Sequence, residues 1–424
     1  MKYFVLSAAI ATAVVAGLTV FAAPAARQPL FAPGQARAAL GSDASYLALS
    51  GHRATASLQL VQADAAQIAA DSDILQFSTG SRALFARRTK FVRNPDGTSV
   101  WFGNLSKDTG LISRFAARFS NEIEEDPLNS VIIVRNGHML TGSMRIDGEL
   151  YQLRPLKSGG HAIVRVDESK MPDHSNDIVP ALRDSVYPRV AAQPQAEAST
   201  RAVTPTVIRV MVVSTQAVVN AVADLRGLVN LAISETNQGY LNSGVNITVQ
   251  LAGNYSTSYV ESGSAQTDLN RFIGTSDRYM DTFHGLRDSN KADVAVLLFN
   301  TVETCGKANL RVDAATAFAA VSHTCATGNY SFGHEIGHLL GADHDKTSTY
   351  SNPFYAYGHG FEYKPTTGSR WRTIMAVSCG ACTRLNYWSN PNKTYNNVVM
   401  GTTSTSNNAR VLNERAATVA GFRN

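Results

Sequence analysis

The chain has 424 residues, more than one typical domain, and 44 % of them are hydrophobic, so it has the material for a substantial core. Charged residues make up 17 %, below the usual quarter, and the formal charge is a modest +5 (38 Lys and Arg against 33 Asp and Glu). That charge is scattered, with no basic run or interleaved aromatics to form a nucleic-acid footprint, and no long apolar stretch follows the first two dozen residues.

The N-terminus begins Met1-Lys2, continues through an apolar stretch from Tyr3 to Phe21 and ends in Ala22-Ala23-Pro24-Ala25-Ala26. A charged start, an apolar middle and a small-residue cleavage site read as a signal peptide over residues 1–25, with Ala23 and Ala25 as the small pair. Cleavage there implies export and an extracellular location. An uncleaved membrane anchor is the competing reading, weakened by the Ala, Thr, Ser and Gly content of the stretch.

Residues 26–190 read as a separate β-rich domain. Ser99–Phe102 and Val131–Val134 are β-branched or aromatic runs, and Asn136-Gly137 marks a hairpin. Leu150–Leu153 and His161–Val166 are further strands, and no catalytic constellation is visible in this half. Residues 191–205 (AAQPQAEASTRAVTP) are small, polar and Pro-containing, which is linker composition.

From residue 206 to 424 the pattern changes to alternation of strand and helix. Val207–Val213 is a short apolar strand, Thr215–Tyr240 carries apolar residues at helical spacing, Val245–Leu251 alternates, Ala265–Leu286 is largely helical, and Asp293–Phe299 is a buried strand. This predicts an α/β domain with a mostly parallel sheet. Val302–Val312 and Thr316–His323 flank a turn near Asp313 and form a hairpin, and Asn407–Phe422 is a C-terminal amphipathic helix.

Four cysteines, Cys305, Cys325, Cys379 and Cys382, all lie in this half. In an exported chain an even count reads as two disulfides. Cys305 and Cys325 stand about equally far from the hairpin turn, which predicts their pairing. Cys379 and Cys382 would then close a tight loop; a metal role for one such pair supplies only half of a zinc site.

The stretch His334-Glu335-Ile336-Gly337-His338-Leu339-Leu340-Gly341-Ala342-Asp343-His344 carries the chemistry. On a helix, His334 and His338 project from one face, so two imidazoles reach one metal. Glu335 lies beside them, placed to polarise water. Gly341 tolerates the positive φ that ends a helix sharply, letting His344 return as a third ligand. Three imidazoles with an open fourth position are the pattern of a single catalytic zinc ion. A bare HExxH arises by chance on surface helices; the glycine and third histidine at their spacing do not.

Downstream, Trp371-Arg372-Thr373-Ile374-Met375-Ala376 supplies a second element. Together the two segments resemble the metzincin clan, with HExxHxxGxxH followed by a Met-turn at Met375. Asp345 after His344 is similar to the reprolysin-like branch. The wider stretch Trp371–Pro391, with Cys379-Gly380-Ala381-Cys382 and Trp388-Ser389-Asn390-Pro391, resembles the bacterial peptidyl-Asp metalloendopeptidases of Asp-N type.

The resemblance implies a twisted, mostly parallel sheet with an antiparallel edge strand, a zinc helix and a C-terminal helix over 206–424, with 26–190 as a β-rich prodomain. It implies zinc ligands His334, His338 and His344, a catalytic base at Glu335, and protein or peptide substrates cut on the amino side of Asp. The substrate strand would pair with the sheet edge near Val302–Val312. The pocket for the residue after the cut would be walled by Val377–Lys393; of its cations, and of Arg370 and Arg372 just before the methionine, Arg384 is the chosen partner for Asp. Some metzincins carry Tyr two residues after the methionine; here that position is Val377. The prodomain would act as inhibitor, yet it contains no cysteine to block zinc, so Asp173 or His174 is the candidate, against the reading of an ordinary polar loop. The alternatives are a broad-specificity metzincin protease without Asp preference, and a non-catalytic zinc-containing adhesin or toxin-like module, which would have no use for the base Glu335.

Overall fold

The computed structural model describes residues 28–34, 36–80, 82–106, 126–179, 204–348, 354–377 and 379–423. The segment read as a signal peptide, and all but the last two residues of the 191–205 linker, lie outside them.

The N-terminal half is an antiparallel meander. Its strands are β1 (Phe31–Pro33), β2 (Thr55–Ala63), β3 (Ile74–Thr79), β4 (Arg82–Arg93), β5 (Ser99–Ser106), β6 (Ser130–Asn136), β7 (Met139–Ile146), β8 (Glu149–Pro155) and β9 (His161–Val166), with helix α1 (Ala44–Gly51) after β1. They lie in the order β1-β2-β9-β8-β7-β6-β5-β4-β3. Leu30, next to β1, donates its N–H to the Gln76 carbonyl of β3 at 2.6 Å, so the sheet curls toward a barrel. The hairpin expected at Asn136-Gly137 joins β6 to β7, with Gly137 at φ 61°. Asp147-Gly148 turns β7 into β8 with positive φ at both residues, the requirement of a two-residue hairpin. Trp101, Phe77, Ile133 and Met144 fill the barrel interior.

The C-terminal half is built from β10 (Thr206–Ser214), α2 (Gln216–Ala221), α3 (Leu225–Asn242), β11 (Ile247–Ser256), α4 (Ala265–Ile273), α5 (Thr282–Ser289), β12 (Val294–Phe299), β13 (Gly306–Ala308), β14 (Phe318–Ser322), α6 (Ser331–Leu340), short strands β15 (Glu362–Tyr363), β16 (Trp371–Arg372), β17 (Thr383–Arg384), β18 (Asn390–Tyr395) and β19 (Val398–Met400), and α7 (Asn408–Ala420). The central sheet runs β11-β10-β12-β14-β13. All its pairings are parallel except that of the edge strand β13 with β14. Two helices expected as continuous are each broken. Asp224 caps a fresh start at α3 by accepting from the Gly227 N–H, and Gly274 ends α4 before α5 begins. Apolar periodicity ran through both breaks because the helices on either side bury against the same sheet.

The halves meet through α3, which lies against β6 and β7. Asn136 and Thr141 bond Asp224 at 2.7 and 3.0 Å, and Arg154 bonds Thr327 at 2.6 Å. Beyond β9 the chain crosses onto the C-terminal half. Val179 donates to the Ala308 carbonyl and Ala308 donates to the Asp177 carbonyl, each at 3.0 Å, adding a parallel rung outside β13. Cys305 is bridged to Cys325, and Cys379 to Cys382. The first bridge ties the start of β13 to the loop leading into α6.

Candidate metal centre

Helix α6 starts at Tyr330, held at φ 61°, and stops at Gly341, at φ 106°. This positive φ turns the chain back within one residue, as expected for the glycine between the second and third histidines. The Gly341 N–H bonds the Gly337 and His338 carbonyls, and His344 follows on the returning strand.

The three histidines converge. His334 Nε2 lies 3.0 Å from His338 Nε2 and 3.2 Å from His344 Nε2, and the last two are 3.1 Å apart. Imidazole nitrogens around one tetrahedral zinc ion stand roughly 3.3 Å apart. The far sides of two rings are occupied by carbonyls. His334 Nδ1–H donates to the Ile374 carbonyl at 2.9 Å, and His338 Nδ1–H donates to the Ala342 carbonyl at 2.8 Å. Their protons are therefore on Nδ1, and each Nε2 presents a bare lone pair to the others. Double protonation of such a buried trio is opposed by mutual repulsion. Lone pairs gathered this closely are reconciled by a cation, so the donor set fits a metal ion, and its neutral imidazoles fit zinc.

A fourth donor comes from the N-terminal half. Asp177 Oδ2 lies 3.1 Å from His334 Nε2, and its Oδ1 lies 3.3 and 3.0 Å from His338 and His344 Nε2. Burial raises the Asp177 carboxyl pKa, but the His344 and His338 imidazoles packed against it and the hydrogen bond from His174 outweigh it and hold the group well below the usual carboxylate range. Asp173, one of the two expected blockers, is exposed and accepts from Ser175 at 2.9 Å instead. His174, the other, is buried and does not join the trio: its Nδ1 bonds Asp177 at 2.7 Å and its Nε2 meets Ser331 Oγ at 3.0 Å. The N-terminal carboxylate that meets the imidazoles is thus Asp177, four residues after Asp173 and three after His174. The usable signal was the Asp-Ile-Val run, an acid leading a β-branched pair able to extend a sheet edge.

Glu335 sits on the same helix, fully buried, and neither carboxylate oxygen accepts a hydrogen bond among the described residues. His174 Nδ1 is 3.4 Å from Oε1. Burial pushes the Glu335 carboxyl pKa well up and the Asp177 charge adds to this, while Lys307 and Arg384 pull it back. Gly306 of β13 faces it so closely that a Cβ there would run into Oε1. Only a glycine lets the edge strand approach this acid, a constraint the sequence reading missed.

Met375 is completely buried under α6, where a Cβ on Gly337 would come within 3.2 Å of its sulfur. The preceding residue supplies the carbonyl that orients His334, so the turn supports the first ligand from below. Asp345 joins this turn to the third histidine by accepting from the Val377 N–H at 2.8 Å. Arg384 is 1 % exposed and so is not a solvated surface arginine. It donates to the Asn329 carbonyl at 2.8 Å and the Ala376 carbonyl at 3.3 Å.

The family model described as "Metallo-peptidase family M12" matches residues 204–389. A protein of Stenotrophomonas maltophilia called peptidyl-Asp metalloendopeptidase is 49 % identical over 417 residues, covering 96 % of this chain and 97 % of its own length. A second strain of that species has one that is 46 % identical over 421 residues, with 96 % and 97 % covered. The protein of that name from Xanthomonas campestris pv. campestris is 42 % identical over 409 residues, with 95 % of each chain covered.

Proposed function

The chain belongs to the reprolysin-like M12 metallopeptidases and, within them, to the peptidyl-Asp metalloendopeptidases, and we propose that it is a secreted zinc endopeptidase that cuts on the amino side of Asp and is held latent by its own N-terminal half. One observation carries the zinc-site reading: three imidazole Nε2 atoms 3.0–3.2 Å apart, with a buried carboxylate on the next helical position.

His334, His338 and His344 would hold one zinc ion, which when bound polarises the scissile carbonyl and makes water nucleophilic near neutral pH. Glu335 takes a proton from the attacking water and returns it to the leaving amine. Its two oxygens are free of protein donors, so nothing competes for that proton. The substrate backbone pairs with β13, whose Ala308 N–H and carbonyl face outward.

Latency follows from the same atoms. Asp177 places its carboxylate at the three imidazoles while the backbone of Asp177 and Val179 uses the Ala308 groups, so one segment covers both the ligand position and the strand edge. We take residues 1–25 as the export signal, 26–190 as the inhibitory prodomain, 191–205 as the linker where processing occurs, and 206–424 as the released catalytic domain. The two disulfides agree with an extracellular destination.

The test is to purify the processed enzyme, measure zinc per chain, and compare matched peptides carrying Asp, Asn or Ala after the cut. One zinc per chain, loss of activity on chelation with recovery at one equivalent of zinc, and preference for Asp are the expected results. Metal-independent cleavage would remove the mechanism, and equal rates on all three peptides would leave a broad-specificity protease.

A further inference from the structure

Two arginines meet beside the metal centre. Arg372 on β16 and Arg384 on β17 are direct partners across parallel strands. Arg372 Nη1 donates to the Ala376 carbonyl at 2.5 Å, and Arg384 Nη2 donates to the same oxygen at 3.3 Å. Their guanidinium groups are thus neighbours, gathered on the residue that follows the buried methionine. Both are buried, 8 % and 1 % exposed, and the Nε–H of each has no acceptor among the described residues.

Among the described residues neither arginine forms an ion pair with an Asp or Glu. Two like charges side by side in a desolvated place, each with an unused donor, are costly to keep without an anion. They are also close to the chemistry, since the charges of Asp177 and Glu335 act on Arg384. Arg372 opens onto a cleft of about 390 Å³ whose other wall is Glu168, Met171 and His174 of the N-terminal segment. Glu168 is the carboxylate whose charge acts on both arginines, yet it forms no ion pair with either. Both its oxygens are taken by Arg145, at 2.5 and 2.8 Å. Without the N-terminal segment, the residues that remain around the cleft are Glu303, Asn329 and Arg372, and Arg384 stands behind them, bonded to the Asn329 carbonyl at 2.8 Å.

We propose that Arg372 and Arg384 act as one two-armed pocket for the side-chain carboxylate of the residue immediately after the scissile bond. This rests on the Asp-directed reading above and deepens it, because Arg384 alone would present one guanidinium already committed to two carbonyls. The second arm adds an independent fork, and two forks distinguish a carboxylate from its isosteric amide, which has one acceptor oxygen and brings a donor against a donor. The pocket chooses the substrate without touching the reacting atoms.

The experiment uses the zinc-loaded enzyme obtained by normal processing of the full-length chain, with peptides identical except for Asp, Asn or Ala after the cut. Wild type is expected to favour Asp over Asn. Arg372→Gln and Arg384→Gln should each reduce kcat/KM on the Asp peptide by about 10²-fold while changing the Asn and Ala peptides little, with zinc unchanged. If Arg372→Gln is not secreted, Arg372→Lys serves: it keeps the buried charge but loses the fork, and the Asp:Asn ratio should fall at least about tenfold. A wild-type enzyme indifferent to Asp would overturn the specificity reading and the pocket with it. A wild type that prefers Asp, together with an Arg372 variant whose Asp:Asn ratio is unchanged or whose rates fall equally on all three peptides, would overturn the pocket alone.

Discussion

The N-terminal barrel and the C-terminal α/β half solve opposite problems. The barrel is regular: nine antiparallel strands with an interior of Trp101, Phe77, Ile133 and Met144, and no cluster of its own that could hold a metal among the described residues. In the C-terminal half a regular sheet carries a dense polar centre, where His334, Glu335, His338 and His344 are all 0–1 % exposed. Yet the barrel side contributes the one carboxylate that, among the described residues, faces all three imidazoles. A scaffold with no metal cluster of its own thus places a carboxylate at a site it does not build, by sending one short segment to the edge of the other sheet.

The sharpest way to break this comparison is at the catalytic side. Glu335→Gln should lower kcat/KM by at least about 10²-fold, because a lost general base costs 10²–10⁴. Zinc should stay near one per chain, as measured by metal analysis, because the three histidines remain. His338→Ala should lose metal and activity together. A Glu335→Gln enzyme with most of its activity would move the base elsewhere.

From the barrel side, Asp177→Ala should leave the fold intact and weaken latency. The unprocessed chain, kept from maturing by substitution within 191–205, should cleave peptides about tenfold or more faster than its parent, since a charged ligand is removed while the Ala308 rung remains. Asp173→Ala should do nothing. If the two variants behaved alike, the carboxylate at the imidazoles would not be what holds the enzyme shut.

A smaller effect is expected where the edge strand meets the base. Gly306→Ala should displace Glu335 and reduce kcat by about tenfold with zinc retained, because a Cβ there cannot be accommodated without movement. Unchanged kcat would mean β13 shifts freely, and that the close approach is incidental.

The mildest prediction concerns the seam between the halves. Glu235 of α3 is fully buried, accepts from the Gly328 N–H at 2.8 Å, and faces Arg154 and Arg145 from the barrel. Burial pushes its carboxyl up to about 7, against the hydrogen bond from Gly328 and the two arginine charges. A raised carboxyl means the folded chain holds a proton that the unfolded chain releases. The associated stability is therefore fully present below the ordinary Glu range and is lost as pH rises through about 7. Thermal melts of the latent chain should show this slope, and Glu235→Gln should flatten it, with its largest gain in Tm at pH 8 and least at pH 4.

The convergence of the three histidines was legible because they are local. Two histidines a helical turn apart, a glycine one turn later and a third histidine three residues on are fixed relative to one another by helix geometry and one positive-φ residue, and the structure places Gly341 at φ 106°. The two cysteine pairs were legible for a similar reason, lying across one hairpin or within one loop. Strands β6, β8 and β9 were visible as runs of Val, Ile and Leu bounded by turns, whereas β2, β3 and β4 were not singled out.

What the sequence by itself determined is the local chemistry: three histidines spaced around one helix and its end, an acid beside them, and an α/β half distinct from a β-rich half. Only the tertiary structure decided which acid of the N-terminal half meets the imidazoles, which glycine packs against Glu335, and that Arg372 and Arg384 stand together. Asp177 lies 157 residues from His334, and no periodicity spans that distance. Contacts of that kind are set by which strand edge is left open and how the barrel docks on α3, and both follow from packing the whole molecule.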